Sequence, residues 1–311
     1  MASLFSEGSR FALRRRLGSG GMGVVYLAHD RDRHVEVALK TLPHFDPAGL
    51  YRLKNEFRSL LGVSHRNLIS LYELLQEGET FFFTMEYVEG VAFIDFVRRS
   101  GVTSEDATRT APWLEAGTQS PAVVQETPEV GEPLDAGGVH RLRTSVRQLA
   151  EGLGALHGKG LVHRDIKPSN VLVDVEGRVV ILDFGLTTRI GESPLDDITA
   201  SPMSGTYPYL APEALDDVPG APADWYAVGI MLYRALTGRM PFAGKGIEGV
   251  LERREKDPRP PQVLVEGNPD DDDQRSSALM RPETYIAIDP ASSREQYRWM
   301  ERFVASVEDE T

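Results

Sequence analysis

The 311-residue sequence predicts an α+β chain in two lobes, a small one of antiparallel strands with one main helix and a larger, mainly helical one. Three observations carry that expectation. Residues 11–88 alternate in the manner of strands, broken once by a helical stretch. Leu142, Val146, Leu149, Leu153 and Leu156 form an apolar stripe at helical spacing within residues 141–159. Residues 223–237 are almost wholly apolar, as in a helix buried on all sides.

The elements follow in order. Phe11 to Leu17 and Val24 to His29 flank a glycine cluster and read as a hairpin. Val35 to Leu42 is a further strand, with Val35, Val37 and Leu39 alternating against Glu36 and Lys40. Asp46-Pro47 supplies an N-cap and a first-turn proline. The helix behind it runs to about Leu61, with Leu53, Phe57, Leu60 and Leu61 at helical spacing. Leu68 to Glu77 and Thr80 to Val88 pair around Glu77-Gly78-Glu79. From Ser100 to Gly138 the chain turns to Pro, Gly, Thr, Ser and Glu, with Arg109 its only Lys or Arg, and a disordered-like insertion is expected. Short strands surround Glu176-Gly177, and the helix of residues 223–237 follows. After Pro258 the sequence is irregular, with an acidic run at Asp270 to Asp273 and a last helix over Arg294 to Val307. The expected organisation is a tail (1–10), a small lobe (11–88) and a large lobe (89–311), the last with an insertion at 100–138 and an atypical part at 258–311.

Composition narrows the function. A net charge of −13 argues against a nucleic-acid partner, which needs a basic face. Without cysteine there are no disulfides or thiolate metal sites, which fits a reducing compartment. Residues 1–8 lack the apolar stretch of a signal peptide, and no run approaches the ~18–20 apolar residues of a membrane span. A cytoplasmic chain with no membrane contact by this segment is expected.

Three segments carry chemistry. Gly18-Ser19-Gly20-Gly21-Met22-Gly23 precedes the strand-like Val24-Val25-Tyr26-Leu27, whereas a dinucleotide fingerprint precedes a helix. Glycines there let backbone N–H groups approach phosphate oxygens without Cβ clashes. His163-Arg164-Asp165-Ile166-Lys167-Pro168-Ser169-Asn170 is the most specific. Asp165 can accept a hydrogen bond from a substrate hydroxyl, Lys167 can neutralise charge on a moving phosphoryl group, and Asn170 can bind a metal ion. Asp183-Phe184-Gly185 follows the apolar Val179 to Leu182 and suits Mg²⁺ held across phosphate oxygens.

With Ala211-Pro212-Glu213, Gly205-Thr206-Tyr207-Pro208-Tyr209 and Asp224-Trp225-Tyr226-Ala227-Val228-Gly229, the sequence resembles the eukaryotic-type (Hanks-type) serine/threonine protein kinases, in the style of bacterial members, from about Phe11 to Phe242. The resemblance implies a bilobal protein-kinase-like fold, ATP and Mg²⁺ (with Mn²⁺ as an alternative) as cofactors, and protein substrates. It implies that Lys40 clamps the α- and β-phosphates and is held by Glu56 of the following helix, with Glu36 on its own strand as rival. It makes Gly18 to Gly23 the phosphate cover and Leu17, Val25, Ala38 and Leu172 the walls around adenine. Met85 becomes the residue behind the base, the Glu86 carbonyl and the Val88 amide its hydrogen-bonding partners, and Asn170 and Asp183 the metal ligands. Leu60, Leu71, His163 and Phe184 would stack between the lobes, so His163 is read as structural and the other histidines as ordinary. Lys167 and Thr206 favour serine or threonine as acceptor, Gly205 to Tyr209 would be the segment that docks the substrate, and within it Thr206 would bond Asp165 and Lys167.

Arg164 wants an anion, which phosphorylation at Thr199, Ser201 or Ser204 would supply, with Asp196 or Asp197 as constitutive alternatives. Departures from the family lie after Phe242. The arginine expected to pair with Glu213 is displaced, with Arg294 (in Asp289-Pro290-Ala291-Ser292-Ser293-Arg294) or Arg281 as candidates. A pseudokinase scaffold is the alternative function. Lys40, Asp165 and Asp183 are all present against it, and the Ala-Pro-Glu segment argues against a small-molecule phosphotransferase.

Overall fold

The alternating residues of the first lobe pair as one antiparallel sheet. Phe11–Gly20 (β1), Gly23–Asp30 (β2), Val35–Thr41 (β3), Leu71–Glu77 (β4) and Thr80–Glu86 (β5) lie in the order β1-β2-β3-β5-β4. The coordinates are a computed structural model that describes residues 9–20, 23–41, 62–78, 80–99, 134–184, 187–189, 207–215, 220–242 and 246–254, together with 50, 51, 53, 54, 57, 58 and 244. One sheet face buries Phe11, Ala28, Val37, Leu39 and Phe82, with the Phe11 and Phe82 rings edge to face at 5.6 Å. The other face receives the helical residues Leu53 and Phe57, which pack on Phe83 as their spacing predicts. Arg10 fastens the sheet's outer corner. Its guanidinium donates to both Asp30 oxygens at 2.8 and 2.6 Å and to Glu73 at 2.8 Å, joining the flank of β1 to β2 and β4. The Arg10 hydrogen bonds hold the carboxyls of Asp30 and Glu73 below their usual range.

The chain leaves β5 through Tyr87–Glu89 and forms a short strand that the sequence did not reveal, Gly90–Ala92 (β6). Beyond it come Phe93–Arg98 (α1), Ala136–His157 (α2), Leu161–Val162 (β7), Val171–Asp174 (β8), Val179–Ile181 (β9), Thr188–Arg189 (β10), Ala221–Thr237 (α3) and Gly246–Glu252 (α4). β6, β8 and β9 make a three-stranded sheet, and β10 pairs with β7. The large core joins α1, α2, α3, β8 and β9, with Leu149, Leu153, Leu156, Val228 and Met231 fully enclosed. No helix among the described residues is long and apolar enough to cross a membrane.

Helix α2 begins at Ala136, five residues before the expected Arg141. Gly137 and Gly138 conceal this first turn from a reading by periodicity, because glycine is a poor helix former. Tertiary and capping bonds override that preference. The Asp135 carboxylate accepts the Gly138 N–H at 2.5 Å, and Arg141 donates to the carbonyls of Phe96, Val97 and Arg99. Residues 135–138 therefore belong to α2 and its cap and not to the expected insertion, and residues 100–133 lie outside the described residues. Helix α3 likewise starts two residues early, with Pro222 in its first turn, and stops at left-handed Gly238. The acidic run at 270–273, Arg281 and the helix expected at 294–307 lie outside the described residues.

Gly90 is where β6 packs tightly on β8, just past the join between the lobes. A Cβ there would stand 2.4 Å from the Val173 carbonyl oxygen and 3.0 Å from the Asp174 Cα, both backbone atoms. Gly90→Ala should force β6 away from β8 and destabilise the protein by about 1–3 kcal/mol. Urea denaturation measures this, and a midpoint equal to wild type would mean the strands part freely.

Candidate active site

The segment 163–170 is shaped by groups beneath it. Asp224, fully buried near the start of α3, accepts the backbone N–H of His163 at 2.8 Å and of Arg164 at 2.7 Å. His157 at the end of α2 reaches the same carboxylate at 2.8 Å, so this histidine, expected to be ordinary, helps to build the site. Arg164 is thereby held at φ 68°, a left-handed conformation that a non-glycine residue adopts only when its surroundings impose it. His163 accepts the Asp165 N–H at Nδ1 (3.2 Å), and its Nε2 faces the Leu182 carbonyl at 2.9 Å. The ring is therefore the neutral Nε2–H tautomer.

Asp165 emerges above this base, 3 % exposed. Lys167 donates to its carboxylate oxygens at 3.0 and 2.8 Å, and the Asn170 Nδ2 donates to Asp165 Oδ2 and to the Asp165 carbonyl, both at 2.8 Å. One carboxylate oxygen thus carries two donors while its position is fixed from the backbone as well.

Asp183 is positioned by the neighbouring strand. Ile181 exchanges hydrogen bonds with Asn67 and Ile69, and the Leu182 N–H donates to the Asn170 carbonyl at 2.8 Å. The two loops therefore share a backbone bond as well as the His163 bond. Asp183 itself has φ 59°, and Phe184 behind it is buried with its ring 4.7 Å from that of His163. From the small lobe, the Lys40 ammonium reaches Asp183 Oδ1 at 2.9 Å. Burial works against the Asp183 charge, but the charge and hydrogen bond of Lys40, with the charge of Lys167 beyond, hold its pKa at about 2. Glu36, the rival partner for Lys40, instead faces His29 and Arg14 on the exposed side of the sheet. Glu56 lies outside the described residues, as do Leu60, Gly21 and Met22.

The strand register makes neighbours of some of the residues expected around adenine. Ala38 stands opposite Met85 and Lys40 opposite Val25, while Gly18, Ser19 and Gly20 pair with Val25, Val24 and Gly23. Leu17, Ala38, Val88 and Leu172 are buried, and Val88 and Leu172 share a core cluster against which Met85 and Leu71 pack. Glu86 closes β5 with its side chain engaged. Its carboxylate pairs with Arg178, which also donates to Asp174 at 3.0 Å and lies within 3.4 Å of the Arg66 carbonyl. The bridge runs from the end of the small-lobe sheet to the β8–β9 turn.

Asn170 and Asp183 offer oxygen donors. The Nδ2 end of Asn170 is engaged with Asp165, which leaves Oδ1 as the acceptor a cation would take, and Asp183 is held ionised by Lys40. Among the described residues no cluster of three or more His, Cys, Asp or Glu forms a cage. The donor set fits a hard divalent ion that takes its remaining ligands from phosphate and water.

Downstream, β10 pairs Thr188 with Val162 and Arg189 with Leu161, so the segment after Asp183 begins docked beside the loop of Asp165. Thr199, Ser201, Ser204 and Thr206 lie outside the described residues. Tyr207–Tyr209 and Pro212–Leu215 form two short 3-10 turns with buried Ala211 between them, and the hydroxyl of buried Tyr209 accepts from Arg234 at 2.8 Å. Sequence reasoning missed His157, Arg178, Arg234 and Arg253. None has a motif, and each matters through a partner distant in sequence.

The model of the protein kinase domain family matches residues 11–277. Over 241 residues the chain is 31% identical to the serine/threonine-protein kinase PrkC of Bacillus subtilis, covering 76% of this chain and 32% of that protein. Similarity to PknB of Mycobacterium tuberculosis is 29% over 267 residues, covering 83% of this chain and 37% of that one. For pkn2 of Myxococcus xanthus it is 33% over 250 residues, covering 78% and 26%. The chain spans about a third of the length of these relatives. A two-lobed fold that carries Lys40, Asp165, Asn170 and Asp183 into one cleft, matched by that family model over most of its length, belongs to the protein kinase domain family.

Proposed function

We propose that this chain is a catalytic serine/threonine protein kinase domain that transfers the γ-phosphoryl group of ATP to protein hydroxyls. The observation that carries it is the Asp165 carboxylate, held by Lys167 and Asn170 beside an Asp183 that Lys40 keeps ionised. A pseudokinase would not need this arrangement. The same reading makes proteins the substrates, and places the domain where ATP is available, in the cytoplasm.

In this reading Leu17, Val25, Ala38 and Leu172 enclose the adenine, with Met85 behind it and the Glu86 carbonyl and Val88 N–H along its edge. Residues Gly18 to Gly23 cover the phosphates and Lys40 draws them toward Asp183. Asn170 and Asp183 would hold Mg²⁺, with Mn²⁺ as substitute, which would neutralise charge on the β- and γ-phosphate oxygens. Asp165 accepts the hydrogen bond of the incoming hydroxyl and turns its oxygen toward phosphorus. Lys167, already on Asp165, balances charge as the proton moves. Thr206 is assigned to the acceptor side of the cleft, and Glu56 to the support of Lys40. The organisation into a small lobe ending near residue 88 and a large lobe carrying an insertion is part of the same proposal. Incubation of purified protein with labelled ATP, Mg²⁺ and a serine/threonine peptide, followed by mass spectrometry, tests the activity directly.

Asp165→Asn should lower turnover by about 10²- to 10⁴-fold while nucleotide affinity stays near wild type. Steady-state kinetics and calorimetry with ATP measure the two, and near-normal turnover would remove Asp165 from the mechanism.

Lys40→Met should abolish activity without unfolding the domain. The Asp183 carboxyl, depressed to about 2, stabilises the fold above its unfolded value of about 3.9, and that contribution fades as pH falls toward 2. Removing Lys40 takes it away. The stability gap between wild type and variant should be constant from pH 5 to 8 and close below about pH 4. Urea denaturation across pH reads this, and a gap that widens in acid would contradict the pairing.

Activity should depend on phosphorylation at Thr199, Ser201 or Ser204, whose charge of about −1.5 to −2 could order the segment against Arg164. Alanine at all three should leave the enzyme slow on a peptide that wild type, phosphorylated in this segment, turns over readily. Equal rates would make the domain constitutive.

A further inference from the structure

Residues 207–215 are held from below by the end of α4, a part of the sequence in which no motif pointed to function. Arg253, one residue past α4, is only 4 % exposed. Its Nη1 donates to the carbonyls of Tyr207 at 2.9 Å and Leu210 at 3.0 Å, and its guanidinium lies 5.5 Å from the centre of the Phe242 ring. The next residue, exposed Arg254, donates to the Pro212 carbonyl at 2.7 Å. Tyr207–Tyr209 and Pro212–Leu215 are single 3-10 turns, too short to satisfy their own carbonyls, so charged donors from outside fix where the segment lies. On the opposite side Arg234 of α3 grips the Tyr209 hydroxyl. Tyr226 of α3 is buried as well, and burial pushes its hydroxyl up to about 12 against the opposing pull of Arg253. Asp165, Lys167 and Lys40 make none of these bonds, so the anchoring is separate from the nucleotide cleft.

We propose that Arg253 is a positioning residue for the protein substrate. It fixes the backbone of Tyr207–Leu215, which continues directly from Thr206, the residue assigned above to the acceptor side of the cleft, and Arg254 adds a weaker second hold. The proposal rests on the kinase reading above. It predicts that the interaction serves peptide and not nucleotide, and that guanidinium geometry matters, because the planar group meets two carbonyls while lying over the Phe242 ring in a buried site.

The test uses the full chain, with Arg253→Met, Arg253→Lys and Arg254→Ala, a generic serine/threonine peptide, and ATP. Arg253→Met should raise the KM for peptide roughly tenfold while the KM for ATP stays within about twofold of wild type. Arg253→Lys should recover part of the loss, and Arg254→Ala should show a smaller change of the same sign. An unchanged peptide KM, or a parallel rise in both constants, overturns the proposal. Should Arg253→Met fail to fold, Arg254→Ala carries the same comparison. If wild type binds ATP but phosphorylates no peptide, the kinase reading falls, and amide hydrogen exchange then decides the anchoring alone. Faster exchange in the variant confined to residues 207–215 supports it, and unchanged or uniformly faster exchange refutes it.

Discussion

The Asp224 carboxylate is the constraint from which the site is built. It is a buried charge satisfied by two backbone N–H groups and one imidazole, and removing any of them would leave that charge costly. In return the backbone at Arg164 is held in a left-handed turn that it would not otherwise choose. That turn aims Asp165 upward and lets His163 drop beneath it onto the Leu182 carbonyl. A rigid helix in the middle of the large core thus fixes the catalytic loop at its root, so small side-chain motions at the surface do not alter its geometry.

The second dependence runs between lobes. Lys40 belongs to the sheet and Asp183 to the large lobe, and their contact is the point where the two halves complete one another. Because the Leu182 N–H is bonded to the Asn170 carbonyl, moving Asp183 also moves the segment that carries Asp165. The loops of Asp183 and Asp165, to which the proposed function gives the nucleotide and the acceptor, are therefore mechanically one unit.

Much of the fold was legible because its signals are local. Alternation marked β1 to β5, and the leucine stripe and the apolar run marked α2 and α3. The exceptions have physical causes. β6 is three residues long and gains its identity only by pairing with β8. The first turn of α2 contains two glycines, and its stability comes from Asp135 and Arg141, which propensity does not weigh. At the site, the spacing within 163–170 announced Asp165, Lys167 and Asn170 together, since neighbours in sequence share one loop. Lys40 was singled out, but its contact with Asp183 spans 143 positions, and no local pattern specifies such a pairing. The arginines at 178, 234 and 253 stayed invisible for the same reason. On a surface-rich chain an isolated arginine is ordinary, and only burial against particular carbonyls or carboxylates distinguishes it.

The bridge from Arg178 to Glu86 has a mechanical consequence. The end of β5 cannot swing relative to the β8–β9 turn without parting a charged pair, so it acts as a clamp and not as a joint. Gly90, paired with Asp174, holds the chain after Glu89 on the same sheet, so Tyr87 to Glu89 span two points that are both tied to β8 and its turn. A rotation of the small-lobe sheet against the large lobe must then break the Glu86–Arg178 pair or bend β5 before Glu86. Because the clamp is partly exposed to solvent, ionic strength should set how stiffly it resists.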